Sequence, residues 1–277
     1  MKILNSEIIE ERSLGGGCIA NARKVKLANG MTVFVKSGTS PESFRLEANG
    51  LKELAKAKAI KIPEVLHFDS EMLVTEYIEQ GSKKRDFFET FGQQFARLHQ
   101  FHASEYGFFE DNYIGATPQL NLAKGEERTD WLAFYFNKRL KFQFELALSN
   151  GYGDNRFQKL FSKLADKLPE IIGESAEEPA LLHGDLWGGN YMADPEGDPV
   201  LIDPAVYYGH READLAMTKL FGGFNPDFYT AYNAEYPLKE GWEYRENIYK
   251  LYHILNHLNL FGSGYYTQAV HLMSYYV

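Results

Sequence analysis

The stretch His183-Gly-Asp-Leu-Trp-Gly-Gly-Asn190 follows an apolar run, Pro179-Ala-Leu-Leu182, that has the length and composition of a short buried strand. Gly and Asn disfavour helix and favour turns. The octapeptide therefore reads as a loop leaving a strand, a common place for binding and catalytic side chains. Within it Asp185 is a candidate base and Asn190 a candidate metal ligand. His183, two residues before Asp185, invites reading as half of a catalytic dyad. A packed histidine that bonds to backbone is the simpler expectation. Trp187 suits either stacking on a substrate or plain packing.

The next segment, NYMADPEGDPVLIDP (190–204), has strand-like ends around a turn-rich middle. Pairing Ala193 with Val200 sets Asn190 opposite Asp203, and directly opposed residues lie about 4.5–5.5 Å apart. That register brings an amide oxygen and a carboxylate together beside Asp185. Hard oxygen donors of this kind suit Mg2+, which takes one or two carboxylates along with substrate phosphates. The plainer reading makes Asn190 a loop cap and Asp203-Pro204 a strand-ending turn. Three oxygen-bearing side chains converging without a basic residue nearby in the sequence favour the functional one.

Working back toward the start, residues 1–80 read as strands plus one helix. Two apolar-alternating runs flank Asn29-Gly30, a hairpin signal because both residues tolerate positive φ. Ser40 is a plausible N-cap, with Pro41 at the first helical position. On the helix that follows, Phe44, Leu51 and Leu54 share a face, and Glu47 falls on the same stripe. A carboxylate on an apolar face needs a partner. Lys36, ending the preceding strand, would serve, unless Glu47 stays solvated at the stripe's edge. EVLHFD (64–69) and MLVTEYI (72–78) read as two further strands. Gly15, Gly16 and Gly17 fit either a flexible turn or a backbone cradle for phosphate. Beyond Gly81 the pattern turns mainly helical. The expected division is a small mixed lobe, 1–80, and a larger mainly helical lobe, 81–277, with a cleft between them.

The composition bounds the alternatives. The chain has 277 residues, enough for two lobes with real cores. Its net charge of -9 argues against a broad nucleic-acid surface, which needs basic patches. One cysteine, Cys18, excludes an internal disulfide framework and a cysteine-rich zinc site. Following three glycines, it is expected in a partly exposed loop, as a redox-sensitive site able to link two chains, or else as a small packed hydrophobe. Neither a secretory h-region nor an apolar stretch of about 18 residues is evident, so a soluble cytoplasmic protein is expected.

Assembled in order, GGGCI, VFVK, EANGLKEL, LVTEYI, GFFEDNYIGATPQLN, HGDLWGGN, LIDPAVYYGHREADLAMTKLFGGF and HLNLFGSGY make the chain resemble the fructosamine kinase family across nearly its whole length. The wider resemblance is to the protein-kinase-like and aminoglycoside phosphotransferase-like fold. Aminoglycoside and choline-type kinases share the His-x-Asp…Asn…Asp skeleton but lack the Trp-Gly pair and the TPQLN segment. Asp203-Pro204-Ala205 stands where protein kinases carry Asp-Phe-Gly. The resemblance implies an α+β two-lobed fold, with a small β-rich N-lobe bearing one helix and a larger helical C-lobe. It also implies ATP-dependent phosphorylation of the sugar 3-hydroxyl of a ketoamine on a small amine or a protein lysine. The unstable product releases the amine, so the outcome is deglycation. Asp185 would be the base, and Asn190 and Asp203 would hold Mg2+. Lys36, paired with Glu47, would contact the nucleotide phosphates, and the backbone of Glu76 and Ile78 would hold adenine. Asp214 would brace the catalytic loop. Two rivals are a kinase for an aminoglycoside or amino alcohol and a nucleotide-binding pseudoenzyme.

Overall fold

The computed structural model describes residues 2–15 and 21–277; Gly16, Gly17 and Cys18 lie outside the described residues. Six strands form an antiparallel sheet: β1 Lys2–Ile3, β2 Ser6–Leu14, β3 Asn21–Leu27, β4 Thr32–Ser37, β5 Val65–Phe68 and β6 Met72–Glu76. Their order is β1-β2-β3-β4-β6-β5. Alternation along the strands turns Val25, Leu27, Val33, Val35 and Val74 to one buried face. Helix α1, Pro41–Lys56, covers the other face, where Phe44, Ala48 and Leu51 pack on Leu73. Leu73 pairs directly with Lys36, so Lys36 stands on the face that α1 covers.

Local signals explain these elements. The Ser40 hydroxyl accepts the Ser43 N–H at 3.2 Å, and Pro41 opens α1. The hairpin around Asn29 forms, but only Gly30 takes a positive φ, 88°. The Leu27 N–H meets the Met31 carbonyl at 2.8 Å, so the loop holds three residues with glycine in the left-handed slot, not the two expected.

Past β6 the chain crosses to a mainly helical region. Gly81 makes a close approach there: its N–H bonds the Ala193 carbonyl at 2.9 Å, and a Cβ would lie 2.0 Å from the Asp194 oxygen. The helices are α2 Phe87–His99, α3 Trp131–Tyr135, α4 Phe142–Ser149, α5 Asn155–Ile172, α6 Glu212–Thr218, α7 Pro226–Glu235, α8 Trp242–Phe261 and α9 Tyr266–Ser274. A π-helical segment, Phe136–Lys141, links α3 to α4, where the sequence suggests one unbroken helix. Three short antiparallel ladders complete the region: β7 Asn112–Ile114 with β8 Thr117–Gln119, β9 Ala180–Leu182 with β12 Tyr207–Gly209, and β10 Tyr191–Ala193 with β11 Pro199–Leu201.

Many of the aromatic residues are buried in the cores or packed against them. Trp131, Phe134, Tyr249 and Tyr252 are fully buried around the middle of α8, while Phe91, Phe95 and Phe228 join α2 to α7. The aromatic C-terminus, where a polar helix end would be ordinary, is a packing tail: Met273 and Tyr276 are buried, and the Tyr276 hydroxyl donates to the Tyr244 carbonyl. Among the described residues no helix is long and apolar enough to cross a membrane.

Candidate active site

Strand β9 ends at Leu182, and the loop that follows is fixed before it reaches Asp185. His183 is buried; its Nε2 lies 3.0 Å from the Ile202 carbonyl, and its Nδ1 accepts the Asp185 N–H at 3.3 Å. Burial lowers its pKa and keeps the ring neutral, so it is the packed loop histidine and not half of a dyad. Gly184 has φ 82°, and a Cβ on it would lie 1.9 Å from the Ala205 carbonyl oxygen. Gly184→Ala is expected to destabilise the fold by about 1–3 kcal/mol from backbone strain alone, before that collision is counted. A wild-type urea midpoint in that variant would contradict this account of the loop.

Asp214, in the first turn of α6, clamps the same loop from below. Its carboxylate accepts the His183 N–H at 2.6 Å, the Gly184 N–H at 2.8 Å, and Nε2 of buried His99 at 3.2 Å. Burial raises a carboxyl pKa, but the bonds and charge interactions with His99, His183 and Gly184 outweigh it and hold Asp214 low. The loop's other glycines differ in purpose. A Cβ on Gly189 would fall 2.5 Å from the Trp187 ring, while Gly188 faces open space.

Asp185 meets Asn190 and Asp203 as expected, but by a different route. Asn190 Nδ2 donates to the Asp185 carbonyl at 2.8 Å, to Asp185 Oδ2 at 3.3 Å and to the Asp203 carbonyl at 3.4 Å. The strand register, however, is one residue off the expected one. Met192 pairs with Val200 and Ala193 with Pro199, so Asn190 stands opposite Ile202. The cause is the turn: the Asp194 N–H bonds the Asp198 carbonyl at 2.9 Å, enclosing three residues with Gly197 at φ 82°. Asp203 then takes φ 51°, unusual for a non-glycine residue, and its Oδ1 lies 2.7 Å from Lys36 Nζ.

Lys36 joins the two halves of the molecule. Besides Asp203 it bonds both Glu47 oxygens, at 2.8 and 3.0 Å, which settles the choice between a paired and a solvated Glu47. Burial opposes its charge, but Glu47 and Asp203 outweigh burial and raise its pKa. Burial in turn pushes Glu47 up to about 6 against the pull of Lys36. Asp203, also opposed by burial, is held low by Lys36. No cation among the described residues offsets this at Asp185: burial, then Asp203 and Asp214, push its carboxyl up to about 8.

Among the described residues no group of three or more His, Cys, Asp and Glu side chains has metal-binding geometry. The donor set that does converge is smaller and harder in character. It comprises the half-exposed Asp203 carboxylate and the Asn190 amide, whose nitrogen is committed to protein oxygens and whose oxygen is left for a cation. Two hard oxygen donors in a cleft that also receives phosphates fit Mg2+.

The remaining expected residues lie around this centre. The Glu76 N–H donates to the Glu64 carbonyl at 2.8 Å, and the Glu76 carbonyl accepts the Thr75 hydroxyl at 3.2 Å, which leaves it one lone pair for a base; Ile78, just beyond β6, is buried. Gly15 follows β2, and a Cβ on it would face open space. Trp187 is 40 % exposed.

A buried polar network escaped the sequence reading. Gln119 Nε2 donates to the Ala205 carbonyl and to Asn112 Oδ1, both at 2.9 Å, and Asn112 Nδ2 donates to the Val206 carbonyl at 2.8 Å. Asn121 joins through Asn112 at 2.9 Å, Arg139 donates to Asn121 at 2.7 Å, and Tyr252 donates to Gln119 at 2.8 Å. These residues fix the backbone that follows Asp203. The NYIGATPQLN segment carries the three amides Asn112, Gln119 and Asn121, but nothing local in it indicates their partners.

Comparison with known proteins decides the family. The fructosamine kinase family model matches residues 2–277. The chain belongs to the fructosamine kinase family. It is 38% identical over 274 residues to protein-ribulosamine 3-kinase, chloroplastic, of Oryza sativa subsp. indica, covering 96% of this chain and 78% of the relative. With ketosamine-3-kinase of Mus musculus it shares 31% identity, covering 94% and 92%. A crystal structure from Thermobifida fusca, described as a fructosamine-3-kinase, superposes with TM-score 0.89 at 33% identity, over 98% of this chain and 94% of that one. An ADP-bound aminoglycoside phosphotransferase, APH(2'')-Ib, superposes at TM-score 0.66 with 12% identity, over 97% and 93%. The fold of this fructosamine kinase family member is thus the α+β kinase-like one that the sequence resemblance implies.

Proposed function

We propose that the protein is a ketoamine kinase, transferring the γ-phosphoryl group of ATP to the 3-hydroxyl of a ribulosamine- or fructosamine-type sugar. Phosphoryl transfer from ATP to an alcohol follows from the family and the kinase fold. The observation that carries the site reading is the meeting of Lys36, Asp203, Asn190 and Asp185 from separate segments at one place.

The residues divide the work. Phosphoryl transfer asks for alignment and charge neutralisation more than covalent chemistry. Lys36, steered by Glu47, neutralises and positions the nucleotide phosphates, with Gly15, Gly16 and Gly17 as further phosphate-binding residues and the Glu76 and Ile78 backbone against adenine. Asn190 and Asp203 would hold Mg2+, which supplies the remaining positive charge on the phosphates when bound. A cation on Asp203 would offset one of the charges that keep Asp185 protonated, leaving Asp185 to orient the sugar hydroxyl and accept its proton. Asp214 and Gly184 keep Asp185 where the hydroxyl arrives. We assign the nucleotide-binding lobe to 1–80 and the catalytic and substrate-binding lobe to 81–277, both contributing to this cleft.

Trp187 forms a wall for the ketoamine, whose amine is cationic at neutral pH. Cation–π contact is worth about 0.5–2 kcal/mol. Trp187→Ala is therefore expected to raise KM for the ketoamine roughly 2–30-fold while leaving KM for ATP near wild type. An equal rise in both would remove Trp187 from the sugar site. The finer expectations concern the carrier and Cys18. Turnover should extend to ketoamines on protein lysines, and a redox-linked dimer through Cys18 would appear on non-reducing gels.

The reading is tested by following ADP release with a panel of erythrulosamine, ribulosamine, fructosamine and an aminoglycoside. Turnover is expected with one or more of the ketoamines and none with the aminoglycoside. Turnover with the aminoglycoside alone would overturn the substrate class and leave the kinase chemistry standing.

A further inference from the structure

A run of aromatic rings leaves the catalytic loop and crosses the surface of the helical region. It starts at Trp187, whose ring centroid is 6.4 Å from that of Phe221. Phe221 is 4.8 Å from His257, and His257 is 5.3 Å from Phe261 and 5.1 Å from Tyr265. Three of these rings are among the most exposed large apolar side chains of the described residues: Trp187 at 40 %, Phe221 at 50 % and Phe261 at 63 %. Isolated exposed rings need no explanation, whereas contiguous ones mark interaction surfaces.

Two features show that the run is held open. Phe221 adopts φ 54°, a left-handed conformation that a bulky residue rarely takes, and it is followed by Gly222 at 102° and Gly223 at 71°. The chain thus turns sharply there and leaves Phe221 outside instead of folding it into the neighbouring core. His257 is fixed by its Nδ1, 2.8 Å from the His253 carbonyl, and burial lowers its pKa, so the run carries no charge at neutral pH.

The occupant follows from the substrate's connectivity, and so rests on the function proposed above. A ketoamine has a reacting sugar at one end and a carrier at the other. With the sugar hydroxyl at Asp185 and the amine beside Trp187, the carrier must leave over whatever surface adjoins Trp187. That surface is this uncharged aromatic run. Its three steps from Trp187 to Phe261 span at most roughly 17 Å, the length of about five extended residues.

We propose that Phe221, Phe261 and Tyr265 form a carrier-docking track that binds the polypeptide flanking a glycated lysine, in extended form and through its apolar side chains. The track sets the preference for peptide-borne over small-amine ketoamines and takes no part in the chemistry.

The test compares two substrates of the same sugar: ribulosyl-methylamine, and ribulosyl-lysine at the centre of a seven-residue peptide with flanking leucines. For Phe221→Ala and Phe261→Ala, KM for the peptide is expected to rise roughly tenfold, the size of one lost aromatic contact. KM for the methylamine, kcat for both substrates and the melting temperature should stay at wild-type values. A variant in which both KM values rise together, or neither does, overturns the track while the kinase reading stands. Failure of the wild-type protein to phosphorylate either substrate would instead sink the underlying function. A wild-type dimer that the two substitutions convert to monomer, with the KM ratio unchanged, would show that a second copy of this chain occupies the track.

Discussion

Asp185→Asn is expected to lose turnover by about 10²–10⁴-fold and to melt at a higher temperature than the wild-type protein at pH 8. Both effects have one cause. Asp185 lies half-buried beside Asp203 and Asp214, and desolvation and those charges push its carboxyl up to about 8, far above its ordinary 3.8. Between those two values the folded state holds a proton that the unfolded chain has released, so stability falls as pH rises through that window. An amide carries no charge to be repelled and can still accept from Asn190 Nδ2, which stands 3.3 Å from Asp185 Oδ2. The stability difference should therefore be greatest near pH 8 and close as pH falls toward 4. Melting curves across that range, with kcat measured alongside, check both halves. Near wild-type turnover would remove Asp185 from the chemistry, and a pH-independent melting difference would remove the electrostatic cause.

Asp214→Ala should have the opposite signature, losing both stability and activity. Asp214 touches no reacting atom; it is a positioning residue. Removing its carboxylate orphans the buried N–H groups of His183 and Gly184 and the bonded nitrogen of His99. A buried donor left unsatisfied costs about 1–3 kcal/mol. Two or three of them would consume a large part of a total stability of about 5–15 kcal/mol. Asp214→Asn retains one acceptor oxygen and should fall between Ala and wild type in urea midpoint. Its kcat should drop more than its KM for ATP rises, because the clamped residues, His183 and Gly184, adjoin Asp185, whereas Lys36, Glu76 and Ile78 lie outside the loop. An Asp214→Ala protein that unfolds at the wild-type urea concentration would contradict the clamp.

Much of this site was legible because its signals are local. The Ser40-Pro41 cap starts α1 in the right place, and that phase alone puts Glu47 on the stripe facing Lys36. The helix-breaking composition of HGDLWGGN marks a loop, and its buried His183 behaves as a packed loop histidine does. The register of β10 against β11 failed by one residue because it depends on loop length. DPEGD closes through three residues once Gly197 takes the left-handed position, which two flanking apolar runs do not reveal. Asn190 and Asp203 still meet, since Asp203 at φ 51° redirects its own side chain to Lys36 and leaves its carbonyl beside the Asn190 amide. The amide network of Asn112, Gln119 and Asn121 stayed illegible for another reason. Its partners, Ala205, Val206 and Tyr252, lie 86 to 133 residues away along the chain, and no local pattern encodes such contacts. The aromatic run from Trp187 to Phe261 is likewise assembled from three separate segments.

The most direct measurement of the central claim is phosphorus NMR of the product formed from ATP, Mg2+ and a ribulosamine. The account predicts a new monoester resonance coupled to the proton on sugar carbon 3, absent with Asp185→Asn, and decaying as the free amine appears. A phosphate on any other hydroxyl, or ATP consumed with no sugar phosphate formed, would contradict it.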